Sequence, residues 1–142
     1  MSRVMAIDYG TKRIGVALSD PLRMIASGFE TISWNGIAVE YAIDRIAQIV
    51  IDKGVDEIVI GSPLRTDGGV SSSKQKAEDF GDLLSQKTGI TPVYRDERYT
   101  TVIASRTMNE IGVAGQDRKK IVDQLAAQII LREYLEIHRP ET

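Results

Sequence analysis

Two continuous apolar runs near the amino terminus, Val4-Met5-Ala6-Ile7 and Ile14-Gly15-Val16-Ala17-Leu18, most restrict what this chain can fold into. Neither alternates, and each is too short to be a helix. Runs of this kind suit strands buried on both faces, so their sheet must be covered on both sides. The segment between them contains Gly10 and predicts a turn joining the two strands as a hairpin. Residues 25–32 make a third strand, with Gly28 marking a bulge.

Strands and helices then alternate. Val39, Ala42, Ile43, Ile46, Ile49 and Val50 fall at helical spacing, and Gly54 is a natural stop. Residues 57–61 predict a buried strand, followed by a loop over 62–69 containing Pro63, Asp67, Gly68 and Gly69. A second helix presents Ala77, Phe80 and Leu84 on one face and closes at Gly89. Residues 90–94 predict a fifth strand, in which Pro92 favours an edge position or a late start. A third helix is expected from about 100 to 110, and a last one over roughly 119–137 with Val122, Leu125, Ala126 and Ile129 as its inner stripe. This order implies an α/β fold: a mixed five-stranded sheet, its first three strands a meander, flanked by helices on both faces. The 142 residues form a single domain, 1–142, with no internal repeat. In such sheets chemistry gathers where strands end.

Composition removes several function classes. Cysteine is absent and His138 is the one histidine, so a zinc site or a Cys/His nucleophile pair is hardly available. Any metal would be held by oxygen. The amino terminus shows neither a cleavable signal nor a run able to cross a bilayer, so the expectation is a soluble, cytoplasmic protein with no membrane partner. A net charge of −2 gives no general positive field for nucleic acid. Local basic clusters stand at Lys12-Arg13 and Arg118-Lys119-Lys120, each of which in isolation is an ordinary solvated face.

The acids are more informative. Asp8 ends a strand expected in the sheet interior, where an unpaired carboxylate needs a cation, donors or water. An Asx-type turn, accepting the amides of Gly10 and Thr11, accounts for it equally well. Asp96 and Glu97 follow the fifth strand, where acids preceding a helix meet its positive end. Asp123 borders the apolar stripe of the last helix. The small Ala126 and Ala127 share its face and would let that helix approach the sheet closely. Three such acids without His or Cys suit hard cations, and two ions about 3.5–4 Å apart can hold a phosphodiester and activate water.

Four blocks, IDYGTKRIGVALSD, Gly61-Ser62-Pro63-Leu64 with Asp67-Gly68, DERYTT, and Lys120 to Ala127, occur in an order that resembles the YqgF/RuvX family across nearly the whole chain. That family has a ribonuclease H-like fold and is described both as Holliday-junction resolvases and as nucleases maturing small-subunit ribosomal RNA. The resemblance implies that Asp8, Glu97 and Asp123 are catalytic acids and metal ligands, with Asp96 an adjacent candidate. It further implies Mg²⁺ or Mn²⁺, as two ions, and phosphodiester hydrolysis. Lys12, Arg13, Arg98 and Lys120 would then contact the phosphates of structured RNA or junction DNA. Ser62, where leucine is usual, and Arg65-Thr66, where Asn-Met is common, depart from the family pattern in the loop.

The leading expectation is therefore a divalent-metal nuclease, most concretely one processing the 5′ end of pre-16S rRNA in ribosome biogenesis. A Holliday junction resolvase is the alternative, and its paired cuts would need a homodimer rather than a monomer. Asp8-Tyr9-Gly10-Thr11 is also similar to a phosphate-binding turn of actin-like ATPases and sugar kinases, but no second matching turn is present. A non-catalytic nucleic-acid binding module is disfavoured, because a carboxylate cluster without metal repels phosphate. Tyr9 and Tyr99, beside the acids, are candidates to stack on bases, and a core or rim role accounts for them at least as well.

Overall fold

The computed structural model describes residues 2–10, 12–35, 38–62, 70–96 and 116–138, with backbone alone at 62, 70–74, 96 and 116–119. Five strands form one mixed sheet: β1 (Arg3–Asp8), β2 (Arg13–Ser19), β3 (Ala26–Ser33), β4 (Val55–Ser62) and β5 (Val93–Asp96), in the order β3-β2-β1-β4-β5. β1, β2 and β3 pair antiparallel as a meander, whereas β1, β4 and β5 run parallel. The carboxyl ends of those three strands, Asp8, Ser62 and Asp96, therefore share one edge.

Period-two alternation sorts the strand residues into two cores. Met5, Ile7, Ile14, Val16, Ile58 and Ile60 pack against α1 (Val39–Lys53) and α2 (Val70–Thr88). Val4, Ala6, Ala17 and Val59 pack on the other face against α3 (Gln116–Ile137), through Ala127, Ile130, Leu131, Tyr134 and Leu135. Apolar residues on both faces explain the continuous runs in β1 and β2. The buried set of α1, Ala42 to Val50, matches the helical spacing of its sequence. Gly54 ends that helix at φ 68°, in the left-handed region that glycine adopts without cost, and its N–H donates to the Val50 carbonyl.

Several boundaries differ from sequence expectation for identifiable reasons. β5 starts at Val93 rather than Ile90, because Pro92 has no N–H to donate to a ladder, and it lies at the sheet edge. The expected bulge is present: Glu30 pairs Val16 while Gly28 pairs Ala17, leaving Phe29 as the extra residue. The last helix begins at Gln116, three residues earlier than expected. The helix expected over 100–110 and the loop residues 63–69 lie outside the described residues. Among the described residues no helix is long and apolar enough to cross a membrane.

Candidate active site

Asp8 is the last residue of the central strand, and it falls on the same face as Val4 and Ala6, the face covered by α3. Its lateral neighbours are both glycines, Gly15 on β2 and Gly61 on β4. The row continues through Thr31 beyond Gly15 and Arg95 beyond Gly61. A carboxylate is thus set at the sheet edge with no side chain on either side of it.

Gly15 brings the second acid in. A Cβ placed there would overlap the main-chain carbonyl of Asp123, so α3 crosses β2 where β2 has no side chain. Thr31 fixes the same crossing, since its hydroxyl donates to the Lys120 carbonyl at 2.6 Å. Fully buried Ala126 and Ala127 keep the next turn of the helix low on the sheet, as their small size predicts. Asp123 consequently stands over the strand residue that pairs with Asp8. These contacts join positions 108 and 89 residues apart in sequence.

Asp123 is held from below by Arg13, whose Nε donates to Oδ2 at 2.7 Å. Its carboxyl pKa is raised: burial favours the neutral form and outweighs the opposing hydrogen bond and charge of Arg13. Arg13 was expected to meet phosphate, and in the structure its Nε is occupied by Asp123 while about a third of the side chain stays exposed, at 31%. Lys12 and Lys120 are exposed beside the same edge. Glu97 and Arg98 lie outside the described residues, as does the side chain of Asp96. Among the described residues no three acids cluster as a complete metal site. The described pair supplies hard carboxylate oxygens from two rigid elements, a donor set that fits Mg²⁺ or Mn²⁺ and excludes softer preferences.

Residues 2–137 match the family model described as "RuvX: Holliday junction resolvase". The chain belongs to the RuvX family. Similar relatives include a protein of Acetivibrio thermocellus, 44% identical over 94% of this chain and 95% of its own length, and one of Lachnospira eligens, 42% identical over 94% and 96%. A Myxococcus xanthus relative is 38% identical over 97% of this chain and 90% of its own. All three carry the name "Putative pre-16S rRNA nuclease". Among solved structures, Thermus thermophilus RuvC in complex with a Holliday junction substrate superposes with a TM-score of 0.61 at 12% identity, covering 97% of this chain and 96% of that one. The fold of this RuvX-family chain is thus RuvC-like, a ribonuclease H fold, as its four sequence blocks implied.

Two site features escaped the sequence reading. Gly15 looked like one more member of an apolar run, although a glycine inside a strand is itself a sign of close backbone approach. The other is an aromatic cluster. Tyr9 has ring centroids 6.0 Å from Trp34 and 5.2 Å from Phe80, and these two are 6.0 Å apart. Burial and the nearby Asp79 carboxylate push the Tyr9 phenol up.

Proposed function

We propose that this chain is a divalent-metal-dependent endonuclease that hydrolyses phosphodiester bonds in structured RNA, most concretely at the 5′ end of pre-16S rRNA. The observation that carries the reading is the seating of Asp123 over Gly15, next to Asp8 at the carboxyl end of the central strand. Asp8 ends an apolar strand, and Asp123, although paired with Arg13, is made harder to ionise by its burial. The names borne by the relatives support the substrate class.

Asp8, Asp123 and Glu97 would hold Mg²⁺ or Mn²⁺ as two ions, with Asp96 adjacent. Bound there, the ions supply an activated water and charge stabilisation for the leaving oxygen. Arg13 orients Asp123 and keeps a carboxylate available despite burial. Lys12 and Lys120, with Arg98, would neutralise phosphates flanking the scissile one.

The resolvase reading is the second candidate, supported by the family model's description and by the RuvC-like fold. It requires a homodimer on a four-way junction, whereas RNA processing is open to a monomer. Both are tested side by side, with purified protein and Mg²⁺ or Mn²⁺ on pre-16S RNA and on junction DNA. The expected result is metal-dependent cutting of the RNA that Asp8→Asn abolishes. Equal cutting by Asp8→Asn would overturn the assignment of the site, and paired cuts confined to the junction would replace the RNA reading with the resolvase.

A further inference from the structure

On the opposite side of the sheet edge from the Asp8 carboxylate is a cavity of about 330 Å³, lined by Tyr9, Trp34, Phe80, Leu83, Lys76 and Asp79 together with Val39. We propose that this cavity receives one unpaired nucleobase of the nucleic acid cut at the Asp8 site, with Tyr9 as its stacking surface. The inference rests on the nuclease reading and names a substrate subsite for it.

Continuity with the acids is the first argument. Asp8 and Tyr9 are consecutive, with Cα atoms about 3.8 Å apart, and alternation sends them to opposite sides of the sheet edge: Asp8 towards α3, Tyr9 onto the core beneath α1 and α2. A single strand crossing this edge with a phosphate at Asp8 therefore delivers a neighbouring base to Tyr9. The back wall is tied to the same loop, because Trp34 Nε1 donates to the Gly10 carbonyl at 2.9 Å and its main-chain N–H donates to the Lys12 carbonyl at 3.0 Å. These two bonds tie the wall to Gly10 and Lys12, close after Asp8 in the chain.

Chemistry is the second argument. Aromatic and aliphatic walls offer a π-face and dispersion to any base. At the rim, exposed Asp79 can accept from an exocyclic amino group and exposed Lys76 can donate to a ring carbonyl, so the edge of a base meets both hydrogen-bonding signs. Asp79 already accepts from Gln75 Nε2 at 2.9 Å, which holds it in place. The volume lies at the lower end of the range for small-ligand pockets. Past Leu83 the groove between α1 and α2 carries Glu40 and Asp44, and its Lys87 ammonium is engaged with Asp44 at 3.2 Å, so the next phosphate is not drawn further in. The subsite takes one base.

Trp34 is the only tryptophan in the chain and provides the readout. With divalent ions chelated to prevent cutting, a short single-stranded oligoribonucleotide should change Trp34 emission saturably, and an abasic oligomer of the same length should bind more weakly without that change. Tyr9→Ala should weaken RNA binding roughly 5- to 100-fold, the range for losing one base stack, and Tyr9→Phe should retain it. Leu83→Glu, at an exposed position, fills the mouth and should have the same effect if Tyr9→Ala fails to fold. Equal affinity for the abasic and the intact strand, or unchanged binding by folded Leu83→Glu, would overturn the subsite. If the emission change persists but no RNA is cut when Mg²⁺ is restored, the subsite stands and the nuclease reading falls. If RNA is cut and Leu83→Glu leaves KM unaltered, the subsite alone falls.

Discussion

Asp123 is a carboxylate whose surroundings make it harder to ionise, and that cost is measurable. Its folded pKa is raised above the unfolded value by burial, with Arg13 opposing. Its contribution to stability is therefore fully present below the ordinary carboxylate pKa and is lost as pH rises through the folded value. In chelator, Asp123→Asn should melt at a temperature that improves relative to the parent protein on going from acidic to neutral pH, as thermal melts on both sides of that window would show. Arg13 acts through Asp123, so Arg13→Ala should lower metal-dependent cleavage by roughly 10- to 100-fold. Without the guanidinium the Asp123 pKa climbs further, so the acid limb of the pH–rate profile should also move to higher pH. Arg13→Lys should restore part of both. A residue that merely contacted substrate phosphate would raise KM and leave that limb in place. The acid at position 8 was legible in sequence because a charge ending an apolar strand demands an explanation. The Arg13–Asp123 pair was not, since its partners are 110 positions apart.

At the scale of elements, the decisive event is α3 settling onto β2. Ala126 and Ala127 announced a close approach, but the stripe expected from spacing was half right: Val122 and Ala126 are buried, Leu125 and Ile129 only partly so, and Ala127, Ile130, Leu131 and Tyr134 pack on the sheet. The place of contact was not readable, because which glycine accepts the helix depends on strand register. Gly15→Ala tests that contact directly. The added methyl meets helix backbone rather than a movable side chain, so the variant should lose about 1–3 kcal/mol by denaturant unfolding. Its cleavage should fall as well, because lifting α3 withdraws Asp123 from Asp8. The other elements show where local rules suffice. The register of α1 and its stop at Gly54 follow from spacing and backbone freedom alone. The late start of β5 follows from the missing N–H of Pro92.

Taken as a whole molecule, the chain ends three parallel strands at one edge and sets Asp8 and, over Gly15, Asp123 there, which is where the ions of the proposed function would bind. Mg²⁺ or Mn²⁺ should therefore raise the melting temperature, with a gain near 2.7 kcal/mol once the ion exceeds its dissociation constant about a hundredfold. Asp8→Asn and Asp123→Asn should each abolish the ion-dependent rise, and a rise that survives both would place the ion elsewhere. Sequence by itself determined the order of strands and helices, the two-sided burial of β1 and β2, and the acids worth testing, because periodicity, turn residues and misplaced charges are local signals. Only the tertiary structure decided that Gly15 seats Asp123 beside Asp8, that Arg13 pairs with that acid, and that Tyr9, Trp34 and Phe80 line one cavity. Those are meetings of side chains from separate elements, set by strand register and by how closely a helix can approach a sheet. No local pattern carries that information.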